Sequence, residues 1–90
     1  MEIEVYDTYT RSEEGLKIHF DVMLPIGGDE PTAQDKALEF IEEISETANP
    51  VQLESCRFCH TETAKPVVGE RVKQEGYYIV PIENCPDPQN

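Results

Sequence analysis

The chain has 90 residues and a formal charge of −12, from 19 acidic and 7 basic side chains. A chain of this length forms one domain, and its hydrophobic content of 38%, arranged in short periodic runs, is typical of a folded protein. Because so much negative charge repels phosphate backbones and anionic lipids, we expect neither a nucleic-acid partner nor a membrane partner.

Two alternating stretches predict a β-hairpin at the start of the chain. Apolar and polar positions alternate in residues 2–10 (EIEVYDTYT) and more cleanly in residues 16–24 (LKIHFDVML), with a polar loop between them that ends in glycine. For both apolar sets to meet the core, odd residues of the first strand must lie opposite even residues of the second. This register turns Phe20 toward the core and puts several other side chains on the opposite face: Tyr6, Thr8, His19, Asp21 and Met23.

Asp7 interrupts the first alternation, because it falls on the apolar side of its strand. Two explanations are open at this point. The strand twists or ends at Asp7, or the carboxylate is buried and bonded to backbone N–H groups.

The later elements are, in chain order, a helix from Thr32 to Ala48, a strand from Val51 into the cysteine segment, a helix over 66–75 and a strand over 77–82. Apolar residues recur at helical spacing in the first helix, and Gly76 suits the left-handed position that ends the second. Thr32 and Asp35 resemble a capping box, Asn49–Pro50 ends the first helix, and Pro81 restricts the last strand to a sheet edge. We therefore predict an α+β fold of order β-β-α-β-α-β over residues 1–83. Its four-stranded, partly antiparallel sheet has both helices on one face, and residues 84–90 form a loose tail.

The cysteine segment at residues 56–60, CRFCH, has a spacing that four kinds of site share. Covalent haem attachment also needs export, and no signal-peptide pattern opens the sequence. A redox dithiol needs a lowered thiol pKa, which the neighbouring Glu54 and Glu62 oppose. A zinc site would use four ligands: Cys56, Cys59, Cys85 and either His60 or His19. We favour reduced thiols in a cytoplasmic protein without a cofactor, and zinc is the alternative.

His19 and Asp21 point the same way from one strand, so they are candidates for a histidine general base oriented by a carboxylate, with Cys59 as a candidate nucleophile. The sequence contains no phosphate-loop, dinucleotide-binding or G-x-S-x-G pattern. We therefore favour a non-catalytic interaction or accessory domain, which binds a protein partner or a second copy through a sheet face or edge strand. A thiol- or zinc-dependent module and a small enzyme using His19 and Asp21 are the alternatives.

Four motifs resemble a small family of short, mostly bacterial proteins: VYDTY at 5–9, HFDV at 19–22, CRFCH at 56–60 and GYYI at 76–79. That family is known as domain of unknown function number two thousand and twenty-four, and the resemblance spans about residues 3–85. It implies a small single αβ domain. It lends no catalytic residue, because the family has no established activity.

Overall fold

The alternating N-terminal stretches pair as an antiparallel hairpin, which forms the centre of a four-stranded sheet. The computed structural model describes residues 1–12, 15–47 and 51–85, without the side chains of residues 45–47 and 51–52. The elements in chain order are β1 Glu2–Ser12, β2 Lys17–Pro25, α1 Glu30–Thr47, β3 Val51–Thr63, α2 Pro66–Glu75 and β4 Tyr78–Glu83. The strand order is β3-β1-β2-β4, and each neighbouring pair is antiparallel. The α+β class and the predicted order of elements are confirmed.

The register of the hairpin differs from the predicted one. Tyr6 lies opposite Val22 and Tyr9 lies opposite His19, so even residues pair with even residues and odd with odd. Directly opposed residues of an antiparallel pair share a face of the sheet. Tyr6 therefore lies with Val22 beneath α1, and the prediction that it shares a face with His19 is wrong.

The hairpin loop and the position of β1 explain this register. The Ser12 N–H donates to the Leu16 carbonyl at 2.9 Å, and the Leu16 N–H donates to the Ser12 hydroxyl at 3.1 Å, so pairing begins with Arg11 opposite Lys17. β1 is a central strand, and both of its faces carry buried side chains: Tyr6, Thr8 and Thr10 on one, Ile3 and Val5 on the other. Polar threonines in the core made the buried face of β1 look exposed in the sequence.

The two helices cover opposite faces of the sheet. α1 packs on alternate residues of β2, which include Phe20 and Val22, whereas α2 packs through Val72 on the other side, against Met23 and Val5. Since Val22 and Met23 are neighbours on one strand, they point to opposite faces. The prediction that both helices share one face is therefore wrong. The cause is a second apolar patch, formed by Ile3, Val5 and Met23, which needs its own cover.

The main core lies between α1 and the sheet, as the apolar spacing of the first helix predicted. Phe20 is fully buried, and its ring meets that of Phe40 edge to face at a centroid distance of 4.7 Å. The predicted orientation of Phe20 is confirmed. No helix in the described ranges is long and apolar enough to cross a membrane.

The helix ends agree with the sequence only in part. α1 starts before Thr32, and its cap is Asp29, whose carboxylate accepts a hydrogen bond from the Thr32 N–H at 2.9 Å. α2 runs from Pro66 to Glu75, and Gly76 caps it with a left-handed φ of 85°, as predicted. The Gly76 N–H donates to the Val72 carbonyl. The Asn49–Pro50 stop and most of the predicted tail lie outside the described residues.

β3 continues through the whole cysteine segment as an edge strand, with a bulge at Cys59. Tyr6 pairs with Phe58 and Val5 pairs with His60, so Cys59 is the extra residue. In a regular strand residues two apart share a face. The bulge instead leaves Phe58 on the α1 face, where its ring lies 5.7 Å from that of Tyr6, and turns His60 to the α2 face.

Candidate functional site

Three side chains with metal-ligand chemistry meet on the part of the α2 face that lies beyond α2. They are Asp7 from β1 and His19 and Asp21 from β2, and we call them the Asp–His–Asp cluster. Asp7 and Asp21 are direct cross-strand partners, and His19 is the neighbouring residue on the same face of β2. The three side chains are 38%, 20% and 17% exposed, respectively, so the cluster is accessible from solvent but largely enclosed.

The spacing of the cluster fits a metal ion. His19 Nε2 lies 3.4 Å from Asp21 Oδ1 and 3.7 Å from Asp7 Oδ1. His19 Nε2 and Asp21 Oδ1 are shielded from solvent and have no hydrogen-bond partner among the described residues. Their 3.4 Å contact with each other lacks hydrogen-bond geometry. Two ligand atoms bound tetrahedrally to zinc at about 2.0–2.2 Å are about 3.3–3.6 Å apart. The two observed separations are close to that range.

Stacked side chains position the imidazole. The ring of Tyr9, opposite His19 in the sheet, stacks on the imidazole at a centroid distance of 4.4 Å and an interplanar angle of 12°. Lys17 Nζ lies 4.8 Å from the centroid of the Tyr9 ring. The stacking of Tyr9 on His19 sets the plane of the imidazole, and His19 Nε2 points toward the two carboxylates.

The two carboxyl groups of the cluster destabilise each other when both are ionised. Burial raises the pKa of Asp21, and the neighbouring Asp7 raises it further by hydrogen bonding and by its negative charge. Positive charge on His19 or His60 lowers the pKa of Asp21, but by less than burial and Asp7 raise it. A bound cation would remove this repulsion.

Comparison with known proteins places the chain in a family. The sequence matches the family model described as Domain of unknown function (DUF2024) over residues 1–82. The chain belongs to this family. It is also similar to protein NE1680 from Nitrosomonas europaea, a structural-genomics target with an NMR structure. The TM-score is 0.77 and the identity 41%, over 96% of this chain and 100% of that one. A comparison with curated proteins found no significant match.

The family resemblance that the motifs indicated is thus confirmed, and the family is a domain of unknown function. The model matches residues 1–82, which include the three residues of the Asp–His–Asp cluster and the CRFCH segment. No role is assigned to either by these comparisons.

The predicted zinc ligands of the cysteine segment do not come together in this DUF2024 domain. Cys56 is buried on the α1 face, where its sulfur accepts a hydrogen bond from the Thr8 hydroxyl at 3.4 Å. Cys59 is exposed, and the Cys85 thiol donates to the His19 backbone carbonyl at 3.3 Å. A zinc knuckle needs a tight turn, whereas the extended β3 sends Cys56 and Cys59 to opposite faces. His60 is exposed beside Glu62, at 2.8 Å.

The predicted redox dithiol also lacks activation. Burial raises the pKa of both Cys56 and Cys85. The pKa of Cys59 is raised first by a hydrogen bond to the Asp7 carboxylate and then by burial and by the charges of Asp7 and Asp21. All three thiols are therefore poorer sources of thiolate than an ordinary cysteine.

The structure does bring the predicted pair His19 and Asp21 together, on the face that the sequence assigned to them. Tyr6 is not part of this site, because its hydroxyl donates to Glu4 at 3.1 Å and burial raises its pKa to about 12. Sequence reasoning missed Asp7 and Tyr9 as members of the site. The interruption of the alternation at Asp7 was the available signal, but the strand neither ends there nor buries the carboxylate completely.

Proposed function

We propose that this protein is a small accessory domain that binds one divalent transition-metal ion at the Asp–His–Asp cluster. The observation that carries the proposal is His19 Nε2, which faces two carboxylate oxygens at 3.4 and 3.7 Å and has no hydrogen-bond partner in the part of the chain that the structure describes. One imidazole nitrogen and two carboxylate oxygens suit Zn²⁺ and neighbouring ions such as Mn²⁺, Fe²⁺ and Co²⁺.

The surroundings of the cluster support a cation site. All three ligands project from paired strands, which hold them more rigidly than loops would, and Tyr9 fixes the histidine ring. The two carboxylates give the site a negative charge, and the formal charge of −12 adds a long-range attraction for cations. An ion would supply the positive charge that the Asp7–Asp21 pair requires.

Calorimetric titration of chelator-treated protein with Zn²⁺ tests the proposal. We expect one binding event per chain in the wild type and a loss of affinity greater than about 100-fold in His19→Ala. Removing a ligand should cost more than the 10–100-fold that changes around a metal ligand typically cost. His60→Ala is the matched control, since it also removes an imidazole next to an acidic residue, but outside the cluster.

The control also separates this site from the CRFCH segment. Circular dichroism must first show that both variants keep the wild-type fold. Equal Zn²⁺ affinity in His19→Ala and the wild type would overturn the proposed site. Loss of Zn²⁺ binding in His60→Ala but not in His19→Ala would instead assign the metal site to the cysteine segment, which is the zinc alternative from the sequence.

We also retain the sequence-based proposals of self-association and of a cytoplasmic location. β3 is an edge strand, and Phe58 is 49% exposed on it, which favours pairing with a second copy. Native mass spectrometry in reducing buffer should then show a dimer that Phe58→Ser weakens. A monomer at all protein concentrations would remove this part of the proposal.

A further inference from the structure

We propose that the metal ion at the Asp–His–Asp cluster and an apolar cavity next to that cluster together bind a small monocarboxylate. The carboxylate coordinates the ion, and the apolar chain of the same molecule fills the cavity. This inference rests on the proposed function and adds to it the class of ligand that the site takes.

The cavity lies on the α2 face of the sheet, beneath the beginning of α2. It has a volume of about 220 Å³, and most of the residues around it are apolar. An apolar cavity of about 150 Å³ is large enough to hold benzene, so this one has room for a short alkyl chain or one aromatic ring. The apolar lining comes from the sheet, from the segment before α2 and from α2 itself: Ile3, Met23, Val80, Ala64 and Val68.

The cavity ends next to the cluster on two strands. Val80 lines the cavity and lies directly opposite Asp21 in the pairing of β2 with β4. Met23 also lines it and is the next residue after Asp21 on the same face of β2. Neighbouring strands are about 4.8 Å apart, and residues two apart on a strand are about 6.6 Å apart. A carboxylate on an ion at Asp21 is therefore only a few carbon atoms away from the cavity.

The cluster leaves part of the coordination shell of an ion open. Among the described residues, the ligand atoms that lie close to one another belong to Asp7, His19 and Asp21. Zinc sites with three protein ligands keep a position for water or another ligand, whereas closed structural sites have four protein ligands. A carboxylate oxygen is a common zinc ligand and fits that open position.

Arg57 favours an anionic ligand over a neutral one. It is exposed and lies directly opposite Asp7 in the pairing of β1 with β3, which puts its side chain on the same face as the cluster. Within the described ranges Arg57 makes no ion pair. A guanidinium binds a carboxylate through two parallel N–H···O bonds. Glu62 and Lys65, which also line the cavity, carry opposite charges and so do not select the charge of the ligand.

An NMR titration of the Zn²⁺-loaded wild type with hexanoate and, separately, with acetate tests this inference without any variant. The two anions share the carboxylate, but only hexanoate has a chain that reaches the cavity. Each buried methylene strengthens binding about fourfold, so hexanoate should bind at least about tenfold more tightly than acetate. Hexanoate should also shift the resonances of Met23, Val68 and Val80. Hexanol should bind more weakly than hexanoate, since it lacks the carboxylate.

Two pairs of variants, measured at saturating Zn²⁺, test the two parts of the site. Val68→Phe fills the cavity from α2 and should remove the advantage of hexanoate over acetate. Val67→Phe is its control, because Val67 is 70% exposed on the same helix. Arg57→Gln should weaken the binding of both carboxylates about tenfold, since it removes charged hydrogen bonds. Arg71→Gln, which removes a guanidinium paired with Glu75 on α2, should not weaken it.

The outcomes separate this inference from the proposed function. Equal affinities for acetate and hexanoate would overturn the role of the cavity, and hexanoate binding that is unchanged after removal of Zn²⁺ would overturn the role of the ion in holding the ligand. Zn²⁺ binding without any binding of carboxylates would overturn this inference and leave the Asp–His–Asp site intact. If the wild type binds no Zn²⁺, both proposals fail.

Discussion

Replacing Asp21 by asparagine should stabilise the metal-free protein, because it removes one of two like charges that lie directly opposite each other in the sheet. Asp7 and Asp21 are cross-strand partners, and like charges at such positions cost up to about 1 kcal/mol. The Coulomb energy of a fully buried pair does not apply, since Asp7 is 38% exposed and solvent screens it. For a domain of this size, 1 kcal/mol corresponds to about 4–8 °C in melting temperature.

The stabilisation should depend on pH with a defined sign. In the folded protein the pKa of Asp21 is raised above its ordinary value of 3.8, so the folded state binds the proton more readily than the unfolded state. The stability of the wild type therefore falls as pH rises from 3.8 through the folded-state pKa of Asp21, and the loss is complete above it. Asp21→Asn lacks this loss. Its advantage should be largest near neutral pH and should shrink as the solution becomes acidic.

Thermal melts in chelator at several pH values measure this effect. Asp35→Asn is the control, because it removes one negative charge from an exposed position on α1 and so reports the effect of net charge alone. Adding Zn²⁺ should reverse the order, with the wild type gaining stability and the variant gaining much less. Our reasoning about the carboxylate pair fails if Asp21→Asn melts at or below the wild-type temperature in chelator at neutral pH.

Three further predictions concern the fold, and denaturant unfolding of purified variants checks each of them. Gly76→Ala should lower the free energy of unfolding by about 1–2 kcal/mol, because Gly76 has a left-handed φ of 85°. Gly69→Ala within α2 should raise it by about 0.5–1 kcal/mol, since the new Cβ would make ordinary contacts of 3.8–3.9 Å. Equal effects of the two substitutions would contradict the backbone argument. Thr10→Val should raise the free energy of unfolding by about 1 kcal/mol, because the buried Thr10 hydroxyl has no hydrogen-bond partner among the described residues. Thr8→Val should bring no gain, since it removes the contacts of the Thr8 hydroxyl with Tyr6 and Cys56. A loss of stability in Thr10→Val would refute this. Phe20→Leu should lower the free energy of unfolding by about 1–2 kcal/mol, because the smaller side chain leaves a cavity beneath α1. A neutral result would show that the core is loosely packed.

Local patterns predicted the elements of this fold well, because each depends on nearby residues. The helical spacing of apolar residues in α1 and the left-handed glycine at the end of α2 are both present where the sequence indicated them. The placement of α2 was not predictable in the same way. It depends on whether Ile3 and Val5 lie on the same face as Met23, and that depends on the pairing of two strands.

The same pairing decided the candidate site. If odd residues of β1 had faced even residues of β2, Asp7 would lie on the face opposite His19 and Asp21. The observed register, which follows from the contacts between Ser12 and Leu16 in the loop, brings Asp7 across from Asp21 instead. A one-residue slip in a hairpin moves every side chain of one strand to the other face. The wrong predicted register therefore placed Asp7 away from His19 and Asp21, and the cluster was not predicted.

A carboxylate among apolar positions of a strand is a conflict between local pattern and fold, and such conflicts are expected where a protein has a function to serve. The strand does not end at Asp7, since β1 continues to Ser12. The fold instead holds two opposed carboxylates beside a histidine whose Nε2 has no hydrogen-bond partner within residues 1–12, 15–47 and 51–85. A cation at this position would explain both features. For this reason we propose that a metal ion binds at the Asp–His–Asp cluster and not at the C-x-x-C-H segment.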